Sequence, residues 1–190
     1  MTTVYKIKLT DSIRRKQIKI YKKILTKFLI TSRFSNETWN ENVRYRLKRE
    51  ISCIYCSPCP IASFVPDNSI LFVLEMNNDT NKLMGVGMVR NSPKYNMNRV
   101  YNNGSYNRYS YVGPERIDRK NMSEEENTVF IALEYLCFKG NKHMKRGYGL
   151  TGFPLETLID CSEKINLVEF ISKMFKRRIS ENNRITRQNN

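Results

Sequence analysis

The strongest constraint on this chain is a pair of apolar runs, Ser69–Met76 (SILFVLEM) and Lys82–Arg90 (KLMGVGMVR), joined by the polar link NNDTN. Runs of that length, rich in aliphatic and β-branched residues and bounded by turn formers, read as the two strands of a hairpin. A lone hairpin cannot bury its apolar faces, so other strands or helices must cover it. Gly85 and Gly87 fall on alternate residues of the second strand, hence on one face. That pattern predicts a bulge or a surface that something approaches closely.

The covering elements can be placed from capping and periodicity. Asp11–Leu29 reads as an amphipathic helix capped by Asp11 or Ser12. Ile13, Ile20, Ile24, Leu25 and Phe28 recur at helical spacing, and Arg14, Arg15, Lys16, Lys19, Lys22, Lys23 and Lys27 lie opposite. A second helix is predicted over Asn36–Arg49, with Ser35 as N-cap and Trp39, Val43 and Leu47 at i, i+4, i+8. Pro58, Pro60 and Pro66 argue against a regular helix or central strand in the stretch ISCIYCSPCPIASFVPDN. Asn91–Gly113 is a polar excursion ending in a strand near Arg108–Val112. Ser123–Cys137 is a helix opened by a Ser123/Glu126 capping box, with Val129, Phe130, Leu133 and Leu136 as its apolar stripe. Pro154–Arg178 reads as helical with a break near Ser162–Ile165 and with Leu167, Phe170, Ile171, Met174 and Phe175 inward, and the basic tail 179–190 reads as disordered. The fold class expected is α+β, a single domain over 1–178 with a small, mostly antiparallel sheet or partial barrel flanked by helices.

Charge narrows the partner. Lys+Arg number 33 against 18 Asp+Glu, a net charge of +15 over 190 residues. Such a balance points to a polyanion, most often nucleic acid. Part of the Lys, Asn, Ile and Tyr usage matches AT-rich codons, so some of this charge is solvated surface rather than a binding site. No window carries the roughly 18–20 apolar residues of a membrane span. The start MTTVYKIKLTDSIRRKQ lacks the apolar core of a secretory signal, and five cysteines without an export signal read against a disulfide framework. A cytoplasmic setting is expected.

Catalytic signals are sparse. Cys53, Cys56 and Cys59 form half of a zinc knuckle without a second pair, so small buried thiols are the preferred reading and a metal site the alternative. Glu75, Asp118 and the only histidine, His143, are the residues a metal-dependent nuclease would need, but no supporting spacing accompanies them. No cofactor motif is present, and an enzyme is the weaker expectation. Binding signals are clearer. Lys139–Gly152 sets Lys142, His143, Lys145 and Arg146 among glycines that let backbone approach a phosphate. Arg116 and Arg119 follow Tyr106, Tyr109 and Tyr111, an interleaving suited to single-stranded nucleic acid, although tyrosines also fill ordinary strands. Trp39 reads either as a helix anchor in the core or as a stacking wall for a base.

The hairpin also resembles one shared by PUA-like folds, including the EVE and YTH domains, through Leu71–Leu74, Lys82, Gly85, Val86, Gly87 and Val89. That resemblance implies a small barrel flanked by helices that binds RNA or modified nucleotides, with N6-methyladenosine held in an aromatic cage in YTH members. A single tryptophan would need tyrosine or phenylalanine to complete such a cage. The run with ERIDRK, the capped helix and CFKGNKHMKRGYGL is similar to proteins of large nucleocytoplasmic DNA viruses, which implies host cytoplasm or a virus factory. The leading expectation is therefore RNA binding, of a methylated nucleotide or an mRNA cap. Trp39, Tyr109 and Tyr111 would stack, Asn77 and Asn78 would meet the base edge, and Arg116, Arg119, Lys142, His143, Lys145 and Arg146 would hold the backbone. The rivals are a metal-dependent nuclease and a protein-interaction subunit, with a viral or host partner, whose first helix docks on that partner.

Overall fold

A computed structural model describes residues 11–188. Its elements in chain order are α1 (Asp11–Ile24), β1 (Lys27–Phe34), α2 (Asn36–Arg49), β2 (Cys53–Ser57), β3 (Ile70–Asn77), β4 (Lys82–Arg90), β5 (Lys94–Tyr95), β6 (Tyr109–Gly113), β7 (Glu115–Asp118), α3 (Glu124–Phe138), β8 (Leu150–Gly152), α4 (Leu155–Ser162) and α5 (Leu167–Gln188). The fold is α+β with two open, mostly antiparallel sheets, one in the order β7-β4-β3-β1-β8 and one in the order β2-β6-β5.

β3 and β4 are the expected hairpin, and β3 also pairs with β1 in parallel, from Lys27↔Ile70 to Phe34↔Asn77. That parallel pair departs from the rest of the sheet, and the crossover joining it carries α2 and β2. Strand β3 is apolar on both faces because both are covered. Phe72, Leu74 and Met76 face a core built with α3, α4 and α5, where Phe72 stacks on Phe175 with ring centroids 5.5 Å apart. Leu71 and Val73 face a second core shared with β2, β6 and α2, containing Ile54, Tyr55 and Tyr111. The large sheet is thus sandwiched between a helical layer and the small sheet.

Two expectations are corrected and a third is refined. The first helix does not reach Leu29, because Phe28–Thr31 is a run buried on both faces as a central strand, and α1 ends at Ile24. Helical and buried-strand readings of so short an apolar run cannot be told apart by periodicity. The proline-rich stretch holds no helix or central strand, as expected; β2, near its start, is an edge strand of the small sheet and ends at Ser57 before the first proline. The basic tail is helical to Gln188. Arg177 and Arg178 pair with Glu126, Ile179 packs on the helical core, and propagation beyond a fixed turn costs little. Residues 1–10 of the expected domain and 189–190 of the tail lie outside the described residues.

The helix caps match their sequence signals. Ser35 accepts from the Thr38 amide while Thr38 accepts from the Ser35 amide, and Ser123 and Glu126 do the same for α3. The break between α4 and α5 falls where it was expected, with Leu167, Ile171, Met174 and Phe175 buried. On α1, Ile13, Ile20 and Ile24 are exposed beside the face that packs on α4. Among the described residues, no helix is long and apolar enough to cross a membrane.

Candidate nucleic-acid interface

The carboxyl ends of the parallel strands β1 and β3 open onto a cavity of about 380 Å³. Its floor is Ser32 and Phe34 of β1 with Cys56 of β2. One wall is the first two turns of α2, with Glu37, Thr38 and Glu41. A second wall is Tyr101, Asn102, Asn103 and Tyr106, and a third is Gly147, Tyr148 and Gly149, with Asn78 beside it. Crevices at the carboxyl ends of parallel strands are where loops, rather than ladder hydrogen bonds, decide the lining.

Each wall is pinned. Asn107 fixes the second one, its Oδ1 accepting from the Val100 and Tyr101 amides and its Nδ2 donating to the Tyr101 carbonyl. Tyr101 is buried and its hydroxyl accepts from Asn42 Nδ2, at 3.2 Å, while Tyr106 meets its ring edge-on. Tyr148 is 61% exposed, so the three rings grade from the floor to the mouth. The third wall is tied down by Arg33, whose Nε donates to the Met144 carbonyl and whose Nη1 donates to Thr151 Oγ1, and by Asn78 Nδ2, which donates to the Lys145 carbonyl. Gly149 has φ +67°, and a Cβ on it would stand 2.3 Å from Ser57 Oγ, so this loop closes against β2 only with glycine there.

The lining is rich in acceptors. Glu41 is buried and one of its carboxylate oxygens accepts from the Asn102 amide; Glu37 lies one turn earlier on the same wall. Asn78 Oδ1 is buried without a hydrogen-bond partner. A phosphate would meet two carboxylates here, whereas the amino and imino edges of a base would find acceptors and a ring to stack on. Lys145 and Arg146 precede the Gly147–Gly149 wall directly. Neither Lys145 nor Arg146 lines the cavity itself, whereas Glu37, Glu41 and Asn78 do.

The expected site residues divide sharply. Asn78 and Tyr106 line the cavity. Lys142 is 92% exposed, with a long 3.8 Å contact to Glu156, and Arg146 is exposed; His143 is half-buried and its Nδ1 has no partner. None of the three lines the cavity. Asn77 is instead a turn residue, its Oδ1 accepting from the Asp79 and Thr80 amides and its Nδ2 donating to Asn36. Tyr111 is fully buried and accepts from the Ile61 amide, and Tyr109 packs against Tyr95, so neither can stack on a base in the cavity.

Trp39 also falls outside the cavity. It packs edge-on against Phe34 at 5.2 Å and sits between the guanidinium groups of Arg46 and Arg116, each 5.5 Å from its ring. It lines a separate open groove with Leu47, Lys82 and Arg119. Arg116 is a core residue. It reaches Glu75 Oε2 at 2.7 Å and Asp118 Oδ2 at 2.8 Å, while Tyr55 donates to Glu75 Oε1 at 2.8 Å. Burial opposes the charge on Arg116, but Glu75 and Asp118 outweigh it and hold its pKa above the usual guanidinium value. Arg119 donates to Asn127 Oδ1 and lies over the Phe130 ring. Arg116 is committed to its carboxylates, and Arg119 lies on the groove beside Trp39, outside the cavity lining.

This network explains the paired glycines. A Cβ on Gly85 would lie 2.9 Å from Glu75 Oε2, and one on Gly87 would lie 2.0 Å from the Tyr55 hydroxyl. What approaches the strand closely is the protein itself: the Ile117 carbonyl and the Glu75–Arg116 pair at Gly85, and the Tyr55 phenol at Gly87. The same network engages two of the residues a nuclease would need, because Arg116 bridges Glu75 and Asp118.

The cysteine run does not make a metal site. Strand geometry sends Cys53 and Cys56 to opposite faces of β2, and Cys59 is exposed beyond it. Burial pushes the Cys53 thiol up to about 12, with Glu75 adding to the shift, and burial does the same to Cys56, so neither is a thiolate at neutral pH. Among the described residues, no group of three His, Cys, Asp or Glu side chains is placed to hold a metal ion.

The residues that sequence reasoning missed are Glu41, Tyr101 and Tyr148. Glu37 and Glu41 stand four apart on α2, which puts them on one flank, and that spacing was the available signal. No protein family, curated protein or solved structure matches the chain.

Proposed function

We propose that this protein binds RNA by drawing one base, methylated in its preferred ligand, into the cavity between α2 and Tyr148. The observation that carries the reading is the ordering of chemistry along that site. Tyr101, Tyr106 and Tyr148 offer ring surface, Glu41 and Asn78 offer acceptors to a base edge, and Lys145 and Arg146 stand at the rim where phosphates would run. The size of the cavity falls within the usual range for small-ligand sites. Phe34 and Cys56 supply apolar floor against which a methyl group can pack. The resemblance of the β3–β4 hairpin to PUA-like folds, EVE and YTH domains among them, adds support, and the viral resemblance suggests that the RNA is met in host cytoplasm.

The test is a titration of short oligoribonucleotides carrying adenosine, N6-methyladenosine or N7-methylguanosine against the protein and its Tyr148→Ala and Glu41→Gln variants. Base stacking contributes about 1–2 kcal/mol, so Tyr148→Ala is expected to weaken binding by roughly 5- to 30-fold. Glu41→Gln is expected to weaken binding and to change which base is preferred. Absence of RNA binding, or affinity unchanged in both folded variants, would overturn the reading.

A further inference from the structure

The cavity does not end at α2. Glu41 and Asn102 line both the cavity and a groove next to it, whose other walls are Arg44, Tyr45, Lys48 and Val100. Helical spacing aligns Glu37, Glu41, Arg44 and Lys48 at i, i+4, i+7 and i+11, one continuous flank of α2. The flank changes sign along its length. Its acidic half faces the cavity and its basic half faces the groove. Arg44 and Lys48 are exposed, and neither forms an ion pair among the described residues.

A second basic surface meets the cavity at a different wall. Lys145 and Arg146 lead straight into Gly147–Gly149, and they too form no ion pair among the described residues. Cations thus stand next in sequence to one wall and on the flank of α2 that continues another, while Glu37 and Glu41 line the cavity itself. A free nucleotide or a terminal cap carries phosphate on one side of its base only. A base within a strand carries phosphate on both.

We infer that the cavity takes an internal base of a single strand, whose phosphates run past Lys145 and Arg146 on one side and along Arg44 and Lys48 on the other. This rests on the base-binding reading above and decides between its two ligand types, favouring an internal modified nucleotide over a cap. A duplex would first have to flip that base out, losing its stacking and pairing, so a single strand is the favoured ligand.

The experiment compares oligoribonucleotides with the preferred base at the centre, the same base at the 5′ end, and the corresponding nucleoside monophosphate. Each is titrated over a range of salt against the protein and the Arg44→Gln/Lys48→Gln variant, with Tyr148→Ala as control. Each phosphate contact to a single strand contributes a slope of about 0.7 in log affinity against log salt. The double variant is expected to lose about 1.4 of that slope and roughly 20-fold in affinity near 0.1 M salt for the central base, and less for the monophosphate, which carries a single phosphate. The 5′-terminal base is expected to bind more weakly than the central one. Equal or tighter binding of the terminal base, or an unchanged slope in the variant, overturns the strand path. If Tyr148→Ala weakens binding while the α2 variant does not, only the path fails; if neither matters, the base cavity itself fails. Glutamine suits an exposed helix position, and an unchanged melting temperature confirms that the variant is folded.

Discussion

Gly87 and Tyr55 meet so closely across the two sheets that a single added methyl group would stand 2.0 Å from the phenolic oxygen. The contact is not incidental, because that hydroxyl donates to Glu75, which Arg116 also holds. Gly87→Ala is therefore expected to destabilise the fold by about 1–3 kcal/mol, as overpacking of a filled interior does. Tyr55→Phe removes the colliding oxygen, so the double variant should be less unstable than the sum of the singles. Chemical denaturation of the four proteins checks this, and simple additivity would count against it.

The ion pair itself should show the asymmetry of buried charge. Side-chain exposure is 8% for Arg116 and 1% for Glu75. Arg116→Met leaves a carboxylate without its partner and is expected to cost about 3–5 kcal/mol. Adding Glu75→Leu to it should recover much of that loss. Urea midpoints for the single and double variants measure it, and a double variant as unstable as the single would contradict it.

Acid sensitivity should concentrate at Glu126. Its carboxylate is held below the ordinary value, first by hydrogen bonding to Arg178 and then by the Ser123 amide, although burial works against this. A native pKa lower than the unfolded one means stability that is fully present above about 4.3 and is lost as pH falls through the native value. Glu126→Gln should thus lower the melting temperature at pH 7 and flatten its decline below pH 4.5. An equally steep decline in the variant would show that other carboxylates carry the effect.

Thiol reactivity should be selective. Cys59 is exposed, while Cys53, Cys56 and Cys137 are buried. Burial pushes the Cys137 thiol up to about 12, with Arg33 opposing, so it stays protonated at neutral pH alongside Cys53 and Cys56. Alkylation of the native protein followed by mass spectrometry should label Cys59 first, and zinc should give no protection. Rapid labelling of Cys56 would contradict the placement of β2.

The glycine at the cavity wall offers a test of architecture apart from chemistry. Gly149→Ala places a side chain in a left-handed backbone region and against Ser57. It is expected to cost about 1–3 kcal/mol and to weaken base binding together. Native mass spectrometry or fluorescence titration with the oligoribonucleotide, read beside the melting temperature, follows both.

Local signals carried much of the fold. The hairpin, both capping boxes and the α4–α5 break were legible because each rests on residues adjacent in sequence. Strand β1 was not, since Phe28–Thr31 becomes strand only when β3 and β8 flank it. Cys53–Ser57 was obscured by prolines that lie just beyond it. The site was less legible. Lys145 and Arg146 directly precede the Gly147–Gly149 wall, and Asn78 lines the cavity. Arg116 and Arg119 were misread because a basic residue in sequence carries no mark of the carboxylate that will meet it. Of the two readings open for Trp39, the core anchor matches its packing on Phe34, and the choice was not legible because its helix flank is fixed by which neighbours α2 packs upon.

The cavity collects its lining from Ser32 at one end of the chain to Gly149 near the other, through five separate segments. No peptide cut from this protein can keep a working share of that surface, and no partial fold displays it. Occupancy is therefore a property of the finished domain. A ligand that binds there adds its free energy to the native state as a whole, raising the melting transition of both sheets at once rather than firming one loop.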